Sequence, residues 1–307
     1  MTQKTKGYLL GIVAAASYGM NPLFALPLYA DGMNPDSVLL LRYLAAIPML
    51  AVMIKLRGRS LKVKKQELGS LVLFGVLISV SSLTLFSSYN HMAAGIASTL
   101  LFMYPIMVAL IMALFFKEKI SLAIALCIAV SIVGIGLLYK NGDGDTLSLW
   151  GSILVFISAL TYAVYIAGIN RGALQAMPTL KVTFYVLLFG IWLFAFRLMF
   201  FEPLTLPSRW YMWANVVALA LFPTAISFLA TTRAIQYVGA TPTAILGALE
   251  PVTALFFGLL LFGETLSLRE VFGLVLIILS VTFVVGGGRV GGYLVRLRKM
   301  FPRIRKR

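Results

Sequence analysis

Long apolar stretches separated by short polar or basic connections run along the whole chain. Each stretch approaches or exceeds the roughly 20 residues that a helix needs to cross a hydrocarbon core of about 30 Å. The pattern therefore predicts an all-α integral membrane protein with ten transmembrane helices. We place these spans near residues 7–30, 36–54, 67–90, 92–116, 119–139, 149–170, 178–201, 210–236, 240–262 and 267–288.

A sequence repeat divides the spans into two halves. Pro105 and Glu118 of the first half correspond to Pro251 and Glu264 of the second, in both cases at an offset of 146 residues. Because each half contains five spans, an odd number, the second half begins on the opposite side of the membrane. The halves are therefore predicted to be inverted copies related by a pseudo-two-fold axis in the membrane plane. We expect a first five-helix repeat at 1–143, a second at 144–288 and a basic tail at 289–307.

The basic residues follow the membrane topology. The net charge is +16, and 20 of the 26 Lys and Arg residues fall in segments that share one side if the amino terminus is inside. The positive-inside rule then predicts a multi-pass protein of the inner (plasma) membrane with both termini in the cytoplasm. The tail mixes basic and bulky apolar residues, which favours contact with the anionic inner leaflet over binding to nucleic acid. A homodimer is compatible with the sequence.

Glu250 is the residue with the strongest indication of chemistry. It lies about ten residues into its span, which at 1.5 Å per residue is roughly 15 Å deep. A carboxylate there costs at least about 2.5 to 3.5 kcal/mol, so it must face a cavity, meet a cation or stay protonated. Two interpretations remain open: a substrate ammonium displaces a proton from Glu250, or Glu250 is permanently protonated and hydrogen-bonded to a neighbouring helix.

Tyr104 is the repeat mate of Glu250, again at an offset of 146 residues. Two polar groups related by the pseudo-axis are expected to face one another across a central cavity. Each is followed by a proline, Pro105 or Pro251, which removes a helix hydrogen bond and frees a carbonyl group one turn earlier. The alternative is that both prolines only shape helix packing.

Further polar and aromatic residues could line the same cavity. Tyr18 and Asn21 are three residues apart and share a helix face, as Tyr162 and Tyr165 do in the corresponding span of the second half. Asn21 has a rival role, because with Pro22 it would mend the backbone at a helix kink. Trp192 lies deep in the seventh span and is either a stacking wall for a flat substrate or a lipid contact.

Two arginines also lie within the predicted spans. Arg233 is close enough to the inner boundary for its guanidinium to reach the membrane interface, which is the expected arrangement. For Arg42 in the second span, the same explanation and a functional one stay open.

The chain resembles the drug/metabolite transporter superfamily, in its EamA branch. The shared pattern is a proline in the fourth span of each half, followed 13 residues later by Lys-Glu or Gly-Glu and an Ile-Ser-Leu or Leu-Ser-Leu turn. The other matching motifs are Tyr18-Gly19-Met20-Asn21, Arg42-Tyr43, Tyr104-Pro105 and Leu249-Glu250-Pro251. The resemblance implies a ten-helix inverted-repeat fold and secondary transport, commonly export, of small metabolites such as amino acids. Tyr18 departs from the pattern, since many members carry Trp before that glycine.

The sequence contains no phosphate-binding loop, no metal-spaced cluster and no nucleophile paired with a histidine base, so we expect neither an enzyme nor a bound cofactor or metal. It predicts a secondary transporter that exports small organic metabolites by alternating access, coupled to protons or to exchange. The prolines Pro22, Pro105 and Pro251 would act as hinges. A multidrug or toxic-cation exporter is the first alternative, and a non-transporting membrane sensor or assembly protein is the second.

Overall fold

The computed structural model describes residues 2–92, 94–118, 122–138, 148–169, 174, 176–262, 268–269, 271–273 and 275–280. Its regular structure within these ranges is helical, as the apolar pattern predicts. The helices are α1 (Gln3–Tyr18), α2 (Asn21–Ala30), α3 (Pro35–Leu56), α4 (Lys65–Ser88), α5 (Ala94–Leu101), α6 (Tyr104–Phe116), α7 (Leu122–Leu138), α8 (Leu149–Gly168), α9 (Thr179–Phe200), α10 (Trp213–Leu219), α11 (Ser227–Val238), α12 (Ala240–Leu246) and α13 (Leu249–Phe262). A 3₁₀ turn at Trp210–Met212 precedes α10, and a π-helical segment at Ala220–Ile226 joins α10 to α11. Helical residues occur again at 268–269, 271–273 and 275–280.

Six helical stretches among the described residues are long and apolar enough to cross a membrane. Three shorter apolar helices accompany them, and the total of ten spans stays a prediction. Large apolar side chains such as Leu114, Phe115 and Phe200 are exposed on the outside of the bundle, as expected where helices face lipid. The six stretches are Gln3–Ala30, Pro35–Leu56, Lys65–Ser88, Leu149–Gly168, Thr179–Phe200 and Trp210–Val238, and the shorter helices are Tyr104–Phe116, Ala125–Gly134 and Val271–Ser280.

Two spans predicted as continuous, 92–116 and 240–262, are each interrupted at equivalent places. The first breaks between α5 and α6, and the second breaks at residues 247–248 between α12 and α13. Pro105 and Pro251 lie in the first turn of the following helix, where the missing N–H of proline is tolerated. At each break the backbone forms 3₁₀-type hydrogen bonds, in which an N–H group donates to the carbonyl oxygen three residues earlier. One example is Glu250 N–H to Gly247 O at 2.8 Å.

Helix pairing follows the repeat. α1 packs along α11, and α8 packs along α4, so the first span of each half contacts the third span of the other. One hydrogen bond occurs twice in this arrangement: Ser81 donates to the carbonyl oxygen of Ser158 at 3.0 Å, and Ser227 donates to that of Ala14 at 3.0 Å. Ser81 and Ser227 are 146 residues apart, and Ala14 and Ser158 are 144 apart. The two contacts are therefore equivalent under the pseudo-two-fold relation of the halves.

At one end of the bundle, the start of α3 and the loop before it contact the end of α9 and the loop after it. Arg197 donates from Nε to Asp36 Oδ1 at 2.7 Å and from Nη2 to Oδ2 at 3.3 Å. Asn34 caps α3 through its side-chain oxygen and also donates from Nδ2 to the carbonyl oxygen of Pro203 at 2.7 Å. These contacts connect the first half of the chain to the second.

Some predictions fall outside the described residues. They are the boundary between the repeats at 143 and 144, the repeat mate Glu264 and the basic tail at 289–307.

Candidate functional site

The two interrupted spans bring Tyr104 and Glu250 together. Tyr104 is the first residue of α6, and Glu250 lies in the first turn of α13. The Tyr104 hydroxyl donates to Glu250 Oε1 at 3.2 Å. Each helix start thus presents one polar side chain, and the two repeat mates meet directly at the contact between the halves.

Gly247 allows this contact to form. A Cβ atom at position 247 would overlap the Tyr104 hydroxyl and would lie 2.7 Å from the ring carbon Cζ. Real Cβ atoms essentially never approach so closely, so a side chain at this position would displace the tyrosine. Gly19, at the break between α1 and α2, has a similar role, because a Cβ there would overlap the carbonyl oxygen of Glu250.

An aromatic cluster surrounds the Tyr104–Glu250 pair. Tyr18 and Tyr162, which are repeat mates, stack with ring centroids 5.8 Å apart and planes 8° apart. Tyr162 also contacts Tyr104 edge-on at 4.9 Å and stacks on Tyr165 at 6.3 Å. Phe228 of α11 lies 6.4 Å from both Tyr18 and Tyr165. The four tyrosines that the sequence analysis predicted to line a cavity therefore form one buried group.

A small cavity of about 20 Å³ opens beside this cluster. That volume is enough for one or two water molecules, so a larger solute requires the helices to move apart. Glu250 is partly accessible, whereas Tyr18 and Asn21 are buried. The lining consists of Tyr18, Gly19, Asn21, Pro22, Leu85, Tyr89, Ser98, Leu101 and Glu250.

Arg42 is the main difference from the sequence-based expectations. Interface snorkelling does not occur here, because Arg42 is fully buried at 0% exposure. Its Nη1 donates to Asn21 Oδ1 at 3.0 Å, its Nη2 donates to the carbonyl oxygen of Pro223 at 3.1 Å, and its Nε donates to the Thr224 hydroxyl. The guanidinium also lies 5.5 Å from the centre of the Phe86 ring.

The π-helical segment explains why Arg42 is held inside the bundle. Pro223 interrupts the α-helical ladder there, and Thr224 donates to the carbonyl oxygen of Leu219 at 2.7 Å. Backbone and side-chain oxygens released in this way supply acceptors that an ordinary helix lacks. Sequence reasoning gave no indication of this partner, since it lies about 180 residues from Arg42.

The remaining candidates take different positions. Pro22 lines the cavity, and Pro105 and Pro251 are buried beside the junction of the two halves. Trp192 lies apart from the aromatic cluster and is 69% exposed on the lipid-facing side of α9. This position agrees with lipid contact and gives no support to a stacking wall for substrate.

Several cavity residues had no sequence signal. Leu85 lies in α4, Tyr89 follows directly after that helix, and Ser98 and Leu101 lie in α5. Within the described ranges, no group of three or more His, Cys, Asp or Glu residues is placed to hold a metal ion.

Comparison with known proteins gives a consistent picture. The chain is 27% identical over 263 residues to YdfC, an uncharacterized transporter of Bacillus subtilis, with 82% of each chain covered. It is 25% identical over 297 residues to YicL, an uncharacterized inner membrane transporter of Salmonella typhimurium, covering 92% of this chain and 96% of that one. A solved crystal structure shares the fold with a TM-score of 0.78 at 18% identity, over 91% of this chain and 95% of that chain.

The family assignment covers both halves. The EamA-like transporter family matches twice, at residues 5–140 and 149–286, so almost the whole chain is included. The first match contains α1 and α4, and the second contains α8 and α11, which are the helices that pair between the two halves. The protein is a membrane transporter, and it belongs to the EamA-like transporter family.

Proposed function

We propose that this transporter is a secondary exporter of small organic metabolites, that it works by alternating access, and that Glu250 couples transport to protons. The observation that carries the proposal is the hydrogen bond between Tyr104 and Glu250, at 3.2 Å, where two interrupted helices from opposite halves meet beside a cavity. Interrupted helices at equivalent positions of two repeats are a recurrent location for substrate sites in transporters.

Glu250 supplies the chemistry for coupling. Among the described residues, no Lys or Arg nitrogen lies within 4.0 Å of its carboxyl group. Without a fixed cationic partner, this carboxyl group can hold a proton while the cavity contains no cation. A substrate ammonium entering the cavity would favour the carboxylate instead, so substrate binding and proton release would be linked.

Tyr104 can serve both protonation states of Glu250. Its hydroxyl donates to Oε1 whether the carboxyl group is charged or neutral, because one acceptor oxygen remains after protonation. It would therefore hold the side chain in the cavity during the exchange. The ring faces of Tyr18 and Tyr162 would contact the apolar part of a solute.

The cavity is too small for a metabolite, so substrate binding requires a different arrangement of the two halves. Movement of one half relative to the other would separate Tyr104 from Glu250 and enlarge the cavity toward one side. The contact between the halves runs through this pair, because Tyr104 belongs to α6 of the first repeat and Glu250 to α13 of the second. We place both termini in the cytoplasm of an inner membrane, and we propose the outward direction because the resemblance to the drug/metabolite transporter superfamily implies export.

A multidrug or toxic-cation exporter is the second candidate. The stacked tyrosines around a single acid favour it, because aromatic faces and a carboxylate both attract organic cations. The two candidates differ in whether the site also recognises an anionic group on the solute.

Uptake into proteoliposomes tests the role of Glu250. A pooled library of labelled amino acids, related metabolites and organic cations is supplied with and without an imposed pH gradient, and Glu250→Gln is compared with the native protein. We expect the native protein to accumulate at least one solute in a manner that depends on the gradient. In Glu250→Gln, accumulation should be lost or become independent of pH.

Glu118→Gln is the matched control. It makes the same chemical change at an exposed carboxyl group beyond the end of α6, so its transport should equal that of the native protein. Full and pH-dependent transport by Glu250→Gln would contradict the coupling role. In that case Glu250 would be a structural, permanently protonated residue.

A further inference from the structure

In the described part of the chain, Asn21 carries a buried amide donor without a hydrogen-bond partner. Its side-chain oxygen faces Arg42, because arginine can only donate, and the amide is thereby oriented. The nitrogen Nδ2 then points away from the guanidinium and has no hydrogen-bond partner among the described residues. Asn21 is 2% exposed, so bulk water outside the bundle does not supply the missing hydrogen-bond partner. A buried donor without a partner is destabilising, so its presence here requires an explanation.

Asn21 also lies in the wall of the small cavity. Asn21 and Glu250 both line this small space, so a donor group and a carboxyl group border the same volume. A ligand placed there could accept from Asn21 at one end and donate to Glu250 at the other.

Arg42 adds a positive charge behind Asn21. Within the described part of the chain, no carboxylate lies within 4.0 Å of its guanidinium. Its partners are instead the neutral oxygens of Asn21, Thr224 and Pro223 and the face of Phe86. A buried cation without a counter-charge is costly, and arginine does not lose its proton to escape that cost. The interior therefore holds a positive pole behind Asn21 and an acid at Glu250, with no direct ion pair between them.

We propose that Asn21, oriented and polarised by Arg42, binds the carboxylate of a zwitterionic substrate whose ammonium group lies at Glu250. This inference rests on the proposed function and adds to it the residue that binds the carboxylate of a zwitterionic solute. Asn21 is the contact residue, and Arg42 is a positioning residue that supplies the field. A purely cationic solute would occupy the Glu250 end and leave the Asn21 donor unpaired.

Three solutes that share a side chain separate the two ends of the site. They are an amino acid, its amide and the amine left after removal of the carboxyl group, each measured by uptake into proteoliposomes. The native protein should prefer the amino acid. Asn21→Asp replaces the donor with an oxygen and gives Arg42 its own carboxylate, so it should lower amino acid uptake by about 10- to 150-fold, as expected for a hydrogen bond of about 1.5–3 kcal/mol to a charged group. Uptake of the amine should change by less than about 3-fold.

Asn215→Asp is the matched control, because it makes the same change on α10, away from the cavity. It should retain the native preference among the three solutes. If Asn21→Asp does not fold, Asn21→Ser keeps a small donor and should show a weaker loss of the same preference. Size-exclusion chromatography and a native helix content by circular dichroism establish that a variant is folded, independently of its transport.

The outcomes separate this inference from the proposed function. Equal loss of amino acid and amine uptake in a folded Asn21→Asp variant would show that Asn21 and Arg42 only hold the helices together. Equal uptake of all three solutes by the native protein would also contradict the binding of a carboxylate by Asn21. Glu250-dependent transport would remain possible, and the toxic-cation exporter would be favoured. A native protein that neither moves these solutes nor gains thermal stability from them would overturn the present inference, and Glu250-dependent uptake of another library member would still support the proposed function.

Discussion

Replacing Gly247 with alanine would place a methyl group where the Tyr104 hydroxyl lies. The ring carbon Cζ would be 2.7 Å from the new Cβ, so the tyrosine would have to move and its bond to Glu250 would break. Overpacking of this kind costs about 1–3 kcal/mol, and the lost hydrogen bond adds about 0.5–1.5 kcal/mol. We therefore expect Gly247→Ala to lower the free energy of unfolding by about 1.5–4.5 kcal/mol.

Tyr104→Leu should remove most of that cost, because neither the hydroxyl nor the ring is then present. Gly247 has a right-handed helical backbone with φ −56° and ψ −18°, which alanine adopts without strain. Restriction of the unfolded chain would favour alanine by about 0.4–1 kcal/mol, and a residual contact of 2.9 Å with the carbonyl oxygen of Ala244 opposes this gain. In the Tyr104→Leu background, Gly247→Ala is thus expected to be close to neutral.

A double-mutant cycle measures this coupling. The native protein, the two single variants and the double variant are unfolded at equilibrium in mixed micelles with increasing dodecyl sulfate, and helix content is followed by circular dichroism. A coupling energy of about 1.5–4.5 kcal/mol is expected. Effects that add to within about 0.5 kcal/mol would show that Tyr104 does not lie over Gly247, and would remove the geometric basis of the site.

Two further predictions concern the polar contacts between the halves at one end of the bundle. Asp36→Asn weakens the two bonds from Arg197, so a cysteine introduced at Asn34 should react faster with a membrane-impermeant thiol reagent; an unchanged rate would show that the ion pair does not hold the halves together there. The Ser208 side chain and backbone N–H both donate to the Asp31 carboxylate and lower the pKa of Asp31. A lowered folded-state pKa gives stability that is present above the unfolded value of about 3.9 and is lost as pH falls through the lower folded value. The difference in unfolding between native protein and Asp31→Asn should therefore be constant above about pH 5 and shrink below about pH 4, whereas a difference independent of pH would contradict the assignment.

The helical architecture and its duplication could be predicted from the sequence. A bilayer requires long apolar helices, and this requirement is visible in local composition without knowledge of distant contacts. The offset of 146 residues likewise identified Tyr104 and Glu250 as equivalent positions. Since equivalent residues near a two-fold axis approach one another, the pairing of these two could be expected in outline.

Arg42 and Trp192 show where local sequence was insufficient. Both lie within apolar spans, and from the sequence each could face either the membrane or the interior of the bundle. Arg42 proved fully buried, and Trp192 is 69% exposed. In a helix that is apolar on every side, hydropathy has no strong direction, so the inward face cannot be identified from periodicity.

The sequence by itself determined the class of protein, the positions of most spans, the two-fold repeat and the presence of an acid, Glu250, within a span. These depend on composition, length and repeated motifs, which are properties of short segments. Only the tertiary structure decided that Tyr104 bonds to Glu250 over Gly247 and that Arg42 finds its acceptors in the π-helical segment at Ala220–Ile226. The physical reason is that satisfying a buried polar group requires a partner with the right geometry, and here each partner comes from the other half of the chain.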